Sequence, residues 1–158
     1  MKGDMLVKLY NLPEDKEDGG LTEKGILIKR AIAPDRNSVI SFVTDTFGKG
    51  WGGECAAAFS RTPTKCYIAV SQKKVVGFAC FDSTAPDFFG PTGVAPEFRR
   101  KGIGRTLLLK CLHSMKEEGY AYAVIGDTDE ASSFYEKSVG AIPIPDSYPG
   151  FYQNLITK

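Results

Sequence analysis

The stretch RRKGIG, Arg99 to Gly104, places three cations and two glycines in six residues, and the apolar run RTLLLKCLHSM follows at once. Two glycines at early helix positions cost about 1 kcal/mol each against alanine. They must therefore serve something other than the helix. Just upstream, GVAP (Gly93–Pro96) reads as a strand end. A strand that stops there and a helix that starts a few residues later leave backbone N–H groups unpaired. Their partial charge adds to the helix dipole, which suits an anion, most commonly a phosphate. Gly102 and Gly104 remove side chains that would hold a phosphate off the backbone, and Arg99, Arg100, Lys101 and Arg105 add full charges. Two familiar phosphate loops do not fit. The segment lacks G-x-x-x-x-G-K-[ST], and Leu107 stands where a dinucleotide fingerprint starting at Gly102 needs its third glycine.

Outward from this turn, a long helix is expected from near Arg99 or Gly102 to Gly119. Ile103, Leu107, Leu108, Cys111, Leu112 and Met115 form its apolar face, with Arg105, Lys110, His113 and Lys116 largely off it. YAYAVIGD then reads as a buried strand. DEASSFYEKSVG reads as a short helix with Asp129 as N-cap and Gly140 at its end. The tail AIPIPDSYPGFYQNLI reads as two Pro-rich turns and a final strand, GFYQNLI. On the amino-terminal side, FFGPTGVAP is strand-like but carries Gly90, Pro91 and Gly93, so it is expected to be broken or splayed. KCYIAVSQ and VVGFACFDS form an antiparallel hairpin about a tight polar turn, QKK. Trp51, Cys55 and Phe59 recur every four residues on one helix. Val39, Ile40, Val43 and Phe47 mark another, opened by Pro34 and stopped by Gly48. GILIKRAIA (Gly25–Ala33) and MLVKLYNLP are strands. The order β-β-α-α-β-β-β-α-β-α-β, with a strand–helix–strand unit around the long helix, implies a parallel crossover in a mixed sheet.

A chain of 158 residues suggests one domain, residues 1–158, with a mobile loop near 11–24 where EDKEDGG is polar and ends in glycine. Net charge is +1, so there is no global attraction to nucleic acid or to a membrane surface, and an anion site must be local. The start has no apolar core of a signal peptide and no run approaches a membrane span. Cys55, Cys66, Cys80 and Cys111 lack C-x-x-C spacing and each lies in an apolar run, so each reads as a small core hydrophobe, with no metal. Reduced thiols fit a cytoplasmic protein.

Read together, VAPEFRRKGIGRTLL and ASSFYEKSVG resemble the GNAT superfamily of N-acetyltransferases. The family's acetyl-CoA motif, [RQ]-x-x-G-x-[GA] after a V-x-P strand end, is met by Val94, Pro96, Arg99, Gly102 and Gly104. Its later A-x-x-[FY]-Y-x-x-x-G is met from Ala131 to Gly140. The resemblance covers about residues 25–158 in pattern and is sharp from Val94 to Gly140. It implies an α/β (mixed α+β) fold, a central twisted mixed sheet of six to seven strands flanked by about four helices and splayed at the cofactor cleft. It implies acetyl-CoA as cosubstrate and an amine of a small molecule or peptide as acceptor, attacked directly in a ternary complex.

The implied cofactor contacts begin with Thr92, Gly93, Val94 and Ala95 for the pantetheine arm. Arg99, Arg100 and the backbone of Lys101, Gly102, Ile103, Gly104, Arg105 and Thr106 would meet the pyrophosphate. Thr128, Ala131, Phe134 and Tyr135 complete the set, Thr128 standing where many relatives have asparagine. Tyr135 is the implied general acid to the CoA thiolate. The amine's base is not fixed by the family; Glu54, Asp82 and Asp87 are candidates by location, each also readable as a solvated charge. Trp51 and Phe47, and the tail residues Tyr148, Phe151 and Tyr152, either line an acceptor pocket or serve as core. His113 reads as solvated rather than catalytic. Many relatives dimerise, so a homodimer is compatible with the family. A non-catalytic acyl-CoA-binding or regulatory module on the same fold is the rival reading, because fold does not fix function.

Overall fold

The computed structural model describes residues 3–15 and 19–156. Of the loop expected near 11–24, residues 16–18 lie outside the described residues; Leu21 is fully buried. Seven strands form one mixed sheet: β1 (Met5–Lys8), β2 (Ile26–Arg30), β3 (Cys66–Ser71), β4 (Lys74–Phe81), β5 (Phe88–Val94), β6 (Tyr122–Ile125) and β7 (Ile142–Pro143). Their spatial order is β2-β3-β4-β5-β6-β1-β7. Among the described residues four helices cover it: α1 (Arg36–Phe47), α2 (Lys49–Ala57), α3 (Ile103–Glu117) and α4 (Ser132–Val139).

The hairpin β3–β4 turns on Gln72 and Lys73, both at positive φ (49° and 63°), as a two-residue hairpin turn requires. Strand alternation then sorts the side chains. Cys66, Ile68, Phe78 and Cys80 join Val39 and Val43 of α1 and Cys55 of α2 in one core. Ala69, Ala79 and Phe81 face the opposite way, into the core built on α3. Every apolar residue expected on the face of α3 is buried, each contributing roughly 1.5–3 kcal/mol relative to exposure.

β5 is more regular than expected but splayed as expected. It runs seven residues without a break, yet its register against β4 shifts between Ala79 and Phe81, opposite Gly90 (φ 115°) and Pro91. It pairs in parallel with β6 only through Phe88 and Phe89, then leaves it while still following β4 to Val94. Among the described residues one edge of Gly90–Val94 therefore has no neighbouring strand, and a cleft opens there.

Two local expectations are corrected. GFYQNLI is not a strand. Gly150–Tyr152 is a 3-10 turn after Pro149, and the last strand is Ile142–Pro143, paired with Leu6 and Met5 of β1. Gly150 sits at φ 50°, a turn conformation, and the aromatic side chains are drawn elsewhere, Phe151 onto the Phe88 ring at 5.0 Å between centroids. Asp129 is not the N-cap of α4. Asp129–Ala131 form a 3-10 turn, and the helix proper begins at Ser132 with Ala131 as its cap residue.

Candidate functional site

The opening beside β5 is a cleft of about 750 Å3 between the end of that strand, the start of α3 and the start of α4. The basic turn forms its rim. Arg100 and Gly102 both adopt left-handed backbone (φ 65° and 89°), and Gly102 is the N-cap of α3. A glycine there has no side chain to cap the helix, so the N–H groups of Ile103, Gly104 and Arg105 remain the helix's open donors. The next N–H, of Thr106, already bonds the Gly102 carbonyl at 3.1 Å, as does its hydroxyl at 3.0 Å. Arg99 folds back, its Nε donating to the Val94 carbonyl at 3.1 Å, which ties the turn to the strand end.

Thr92, Gly93 and Val94 line one wall, with Ala131 and Phe134 opposite. A Cβ on Gly104 would lie 3.8 Å from the Phe134 ring and 3.9 Å from Val94, so the cleft is narrow beside this glycine. A Cβ on Gly93 would collide with the ring of Phe47. Phe47 and Trp51 close the inner end, their centroids 5.4 Å apart.

The structure brings together Thr92, Gly93, Val94, Arg99, Arg100, Gly102, Ile103, Gly104, Arg105, Ala131 and Phe134 as lining of this cleft. Other expected residues sit apart. Ala95 is buried and donates its N–H to the Val76 carbonyl at 2.8 Å. Lys101 is exposed outside the lining. Thr128 is buried, its hydroxyl donating to the Gly3 carbonyl at 3.1 Å. Tyr135 is packed beneath the cleft, 6% exposed, edge-on to Phe89. Burial pushes its phenol up to about 12.

A second cleft, of about 450 Å3, lies on the other side of Trp51, which lines both. Glu54, Asp4 and Asp127 line it with Phe89, Tyr148 and Tyr152, and no Lys, Arg or His among the described residues does. Asp4 Oδ1 accepts the Asp127 N–H at 3.0 Å, which fixes the two acidic segments together. Glu54 accepts from the Thr84 hydroxyl, and its own carbonyl accepts from Ser83. The Tyr152 phenol is pushed up to about 12, first by burial and then by Asp4, Glu54 and Asp127. The carboxylates thus act at one place although they come from three distant segments of the chain. Of the sequence candidates, Glu54, Trp51, Tyr148 and Tyr152 meet here; Asp4 and Asp127 carried no local signal.

Asp82 and Asp87 lie elsewhere. Asp82 accepts the Tyr120 hydroxyl (3.0 and 3.1 Å) and the Asp87 N–H (2.8 Å), and sits 3.6 Å from Lys65. That is a structural network. Asp87 Oδ1 is buried without a hydrogen-bond partner, and burial followed by the Asp82 charge pushes its carboxyl up to about 6. A raised carboxyl favours the native state below the unfolded value near 3.8, and the advantage is lost as pH rises through about 6. Asp87→Asn is therefore expected to melt a few degrees higher than the parent at pH 8 and to lose that margin by pH 4. Equal melting curves at pH 8 would contradict it. His113 is tied to the Pro13 carbonyl at 2.8 Å and faces neither cleft.

Comparison with known proteins fits this geometry. Residues 36–141 match the acetyltransferase (GNAT) family, and the chain belongs to that family. Among solved structures it is similar to the GCN5-related glucosamine N-acetyltransferase region of a fungal multi-domain GH3 beta-N-acetylglucosaminidase (TM-score 0.70, 15% identity, 90% of this chain and 20% of that one). It is also similar to a GCN5-related N-acetyltransferase from Sphaerobacter thermophilus (TM-score 0.66, 19% identity, 90% and 48%). A third is a GNAT family N-acetyltransferase from Escherichia coli in complex with CoA (TM-score 0.50, 21% identity, 60% and 58%). At these identities the likeness is one of fold. The chain spans about half or less of the first two structures. A comparison with curated protein sequences finds no match.

Proposed function

We propose that the protein transfers an acetyl group from acetyl-CoA to a primary amine of a small molecule or peptide. The observation that carries this reading is the meeting of two unlike clefts at Trp51, one rimmed by cations and helix N–H groups, the other by carboxylates. The pyrophosphate suits the open N–H groups of Ile103, Gly104 and Arg105 with Arg100 beside them. The pantetheine arm suits the unpaired edge of Thr92–Val94, where it adds to the sheet as a strand would. Its thioester then comes to the inner end, near Trp51.

An amine is protonated in water at neutral pH, and a cleft with three carboxylates and no cation among its described lining attracts that form. Glu54, on the same helix as Trp51, is the carboxylate assigned to hold the ammonium. Attack requires the ammonium to shed one proton to the cleft. The neutral nitrogen then bonds the thioester carbon and gives up a second proton. The C–S bond breaks, and the thiolate takes up a proton from a donor that the second amine proton restores, so one proton is released overall. Tyr135 is the assigned donor. Its neighbours Ala131 and Phe134 line the first cleft, and its ring contact Phe89 lines the second, so it sits under the junction. Most of the rate comes from holding the two reactants in line.

The test is a thermal shift with acetyl-CoA followed by thiol release with a panel of amines. A rise in melting temperature of several degrees, with thiol release for cationic amines, is expected. No shift at millimolar acetyl-CoA would remove the cofactor assignment. A shift with no thiol release for any amine would leave a CoA-binding module in its place.

A further inference from the structure

Three of the four cysteines converge on one point, on the sheet face away from α3. Cys55 comes from α2, and Cys66 and Cys80 face each other across the β3–β4 ladder. Their Sγ atoms all lie within 4.8 Å of one another, and all three residues are fully buried. Cys111, equally buried, lies on the opposite face with its Sγ 3.5 Å from the Ala79 carbonyl.

We propose that Cys55, Cys66 and Cys80 form a binding site for one thiophilic closed-shell cation, Cu+ or Zn2+, that ties α2 to the β3–β4 hairpin. Thiolate sulfur selects these ions over the harder divalent cations. A metal–sulfur bond is about 2.3 Å, so three sulfurs around one ion stand about 4 Å apart, and the triad needs only a small inward movement. Ala31, Val39, Val43, Ala58, Ile68 and Phe78 belong to the same buried apolar cluster. Among the described residues no fourth His, Cys, Asp or Glu joins the three, which suits three-coordinate Cu+ directly and leaves an open position on Zn2+.

The thiols are already unequal without an ion. Hydrogen bonds from Cys66 and Cys80 hold the Cys55 thiol well below its usual range, with the Arg36 charge acting the same way. Its partners are held well above theirs, Cys66 mainly by its hydrogen bond to Cys55 and Cys80 mainly by burial. Binding of a cation by the three sulfurs would expel protons from the thiols.

Entry needs a wall that opens, and α2 is suited to it. Its sequence KGWGGECAA has three glycines in nine residues, each unfavourable in a helix by about 1 kcal/mol against alanine. Segments of low local stability open without global unfolding. The same helix carries Trp51 and Glu54, so an ion on Cys55 would also steady the wall shared by the two clefts.

The experiment titrates the reduced full chain, without oxygen, with Cu+ in one arm and Zn2+ in the other, each against a chelating competitor. One ion per chain is expected in at least one arm, with proton release and a higher melting temperature. Cys55→Ala, Cys66→Ala and Cys80→Ala should each weaken binding by more than about 100-fold, since changes even beyond the direct ligands cost 10–100-fold. Cys111→Ala, which removes a thiol of equal burial from the other face, should bind as the parent does. Binding kept in the triad variants, or lost equally in Cys111→Ala, would overturn the site. Where an alanine variant does not fold, the parent decides: neither ion binding stoichiometrically with proton release overturns it as well. Neither result depends on whether acetyl-CoA binds.

Discussion

Tyr135→Phe is expected to lower acetyl-transfer turnover by about 100-fold or more, the usual scale for losing a positioned proton donor. Acetyl-CoA should still raise the melting temperature as it does for the parent. Phenylalanine keeps the ring that stands edge-on to Phe89, 6.2 Å between centroids, and touches Phe134, so the packing survives and only the hydroxyl is lost. Burial holds the phenol up to about 12, which keeps it protonated across the neutral range. The same apolar surroundings raise a thiolate's proton affinity, so acid and acceptor move together. The sign for stability follows: a raised phenol favours the native state below pH 10, and that contribution fades as pH climbs toward 12. Steady-state kinetics beside a cofactor thermal shift make the measurement. Unchanged turnover would take the acid role away from Tyr135.

Glu54→Gln is expected to raise KM for a cationic amine by roughly tenfold to a hundredfold. A hydrogen bond to a charged group is worth about 1.5–3 kcal/mol, and each 1.4 kcal/mol is a factor of ten. Glutamine keeps the length and can still accept from the Thr84 hydroxyl, so the change removes charge more than shape. Cofactor affinity should not move, because Glu54 does not line the first cleft. A KM within twofold of the parent would show that the ammonium is held elsewhere, with Asp4 and Asp127 the next variants to make.

The basic turn was legible because its physics is local. A strand end, two glycines and a helix start lie within a dozen residues, and the donors they leave open follow from backbone geometry alone. The splay of β5 was legible for the same reason, since Gly90 and Pro91 disturb a ladder wherever they stand. Local signals also misled. Asp129 has the chemistry of an N-cap, but a 3-10 turn intervenes before the helix. GFYQNLI has a strand's composition, but the short edge of β1 is already taken by Ile142–Pro143, and Phe151 and Tyr152 pack over Phe88 and Gly126 instead.

By itself the sequence determined the order of strands and helices, the apolar face of α3 and the anion-ready turn at its start, because each depends on neighbours in the chain. Only the tertiary structure decided what lies across from that turn. Asp4, Glu54, Asp127 and Tyr152 share one cleft, and Cys55, Cys66 and Cys80 share one point, through sheet pairing and helix packing between distant segments. In the sequence the carboxylates stand at positions 4, 54 and 127 and the thiols at 55, 66 and 80. Folding gathers them, since β1 is placed beside β6 and α2 is laid against β3 and β4 by the burial of apolar surface rather than by any motif at the sites themselves.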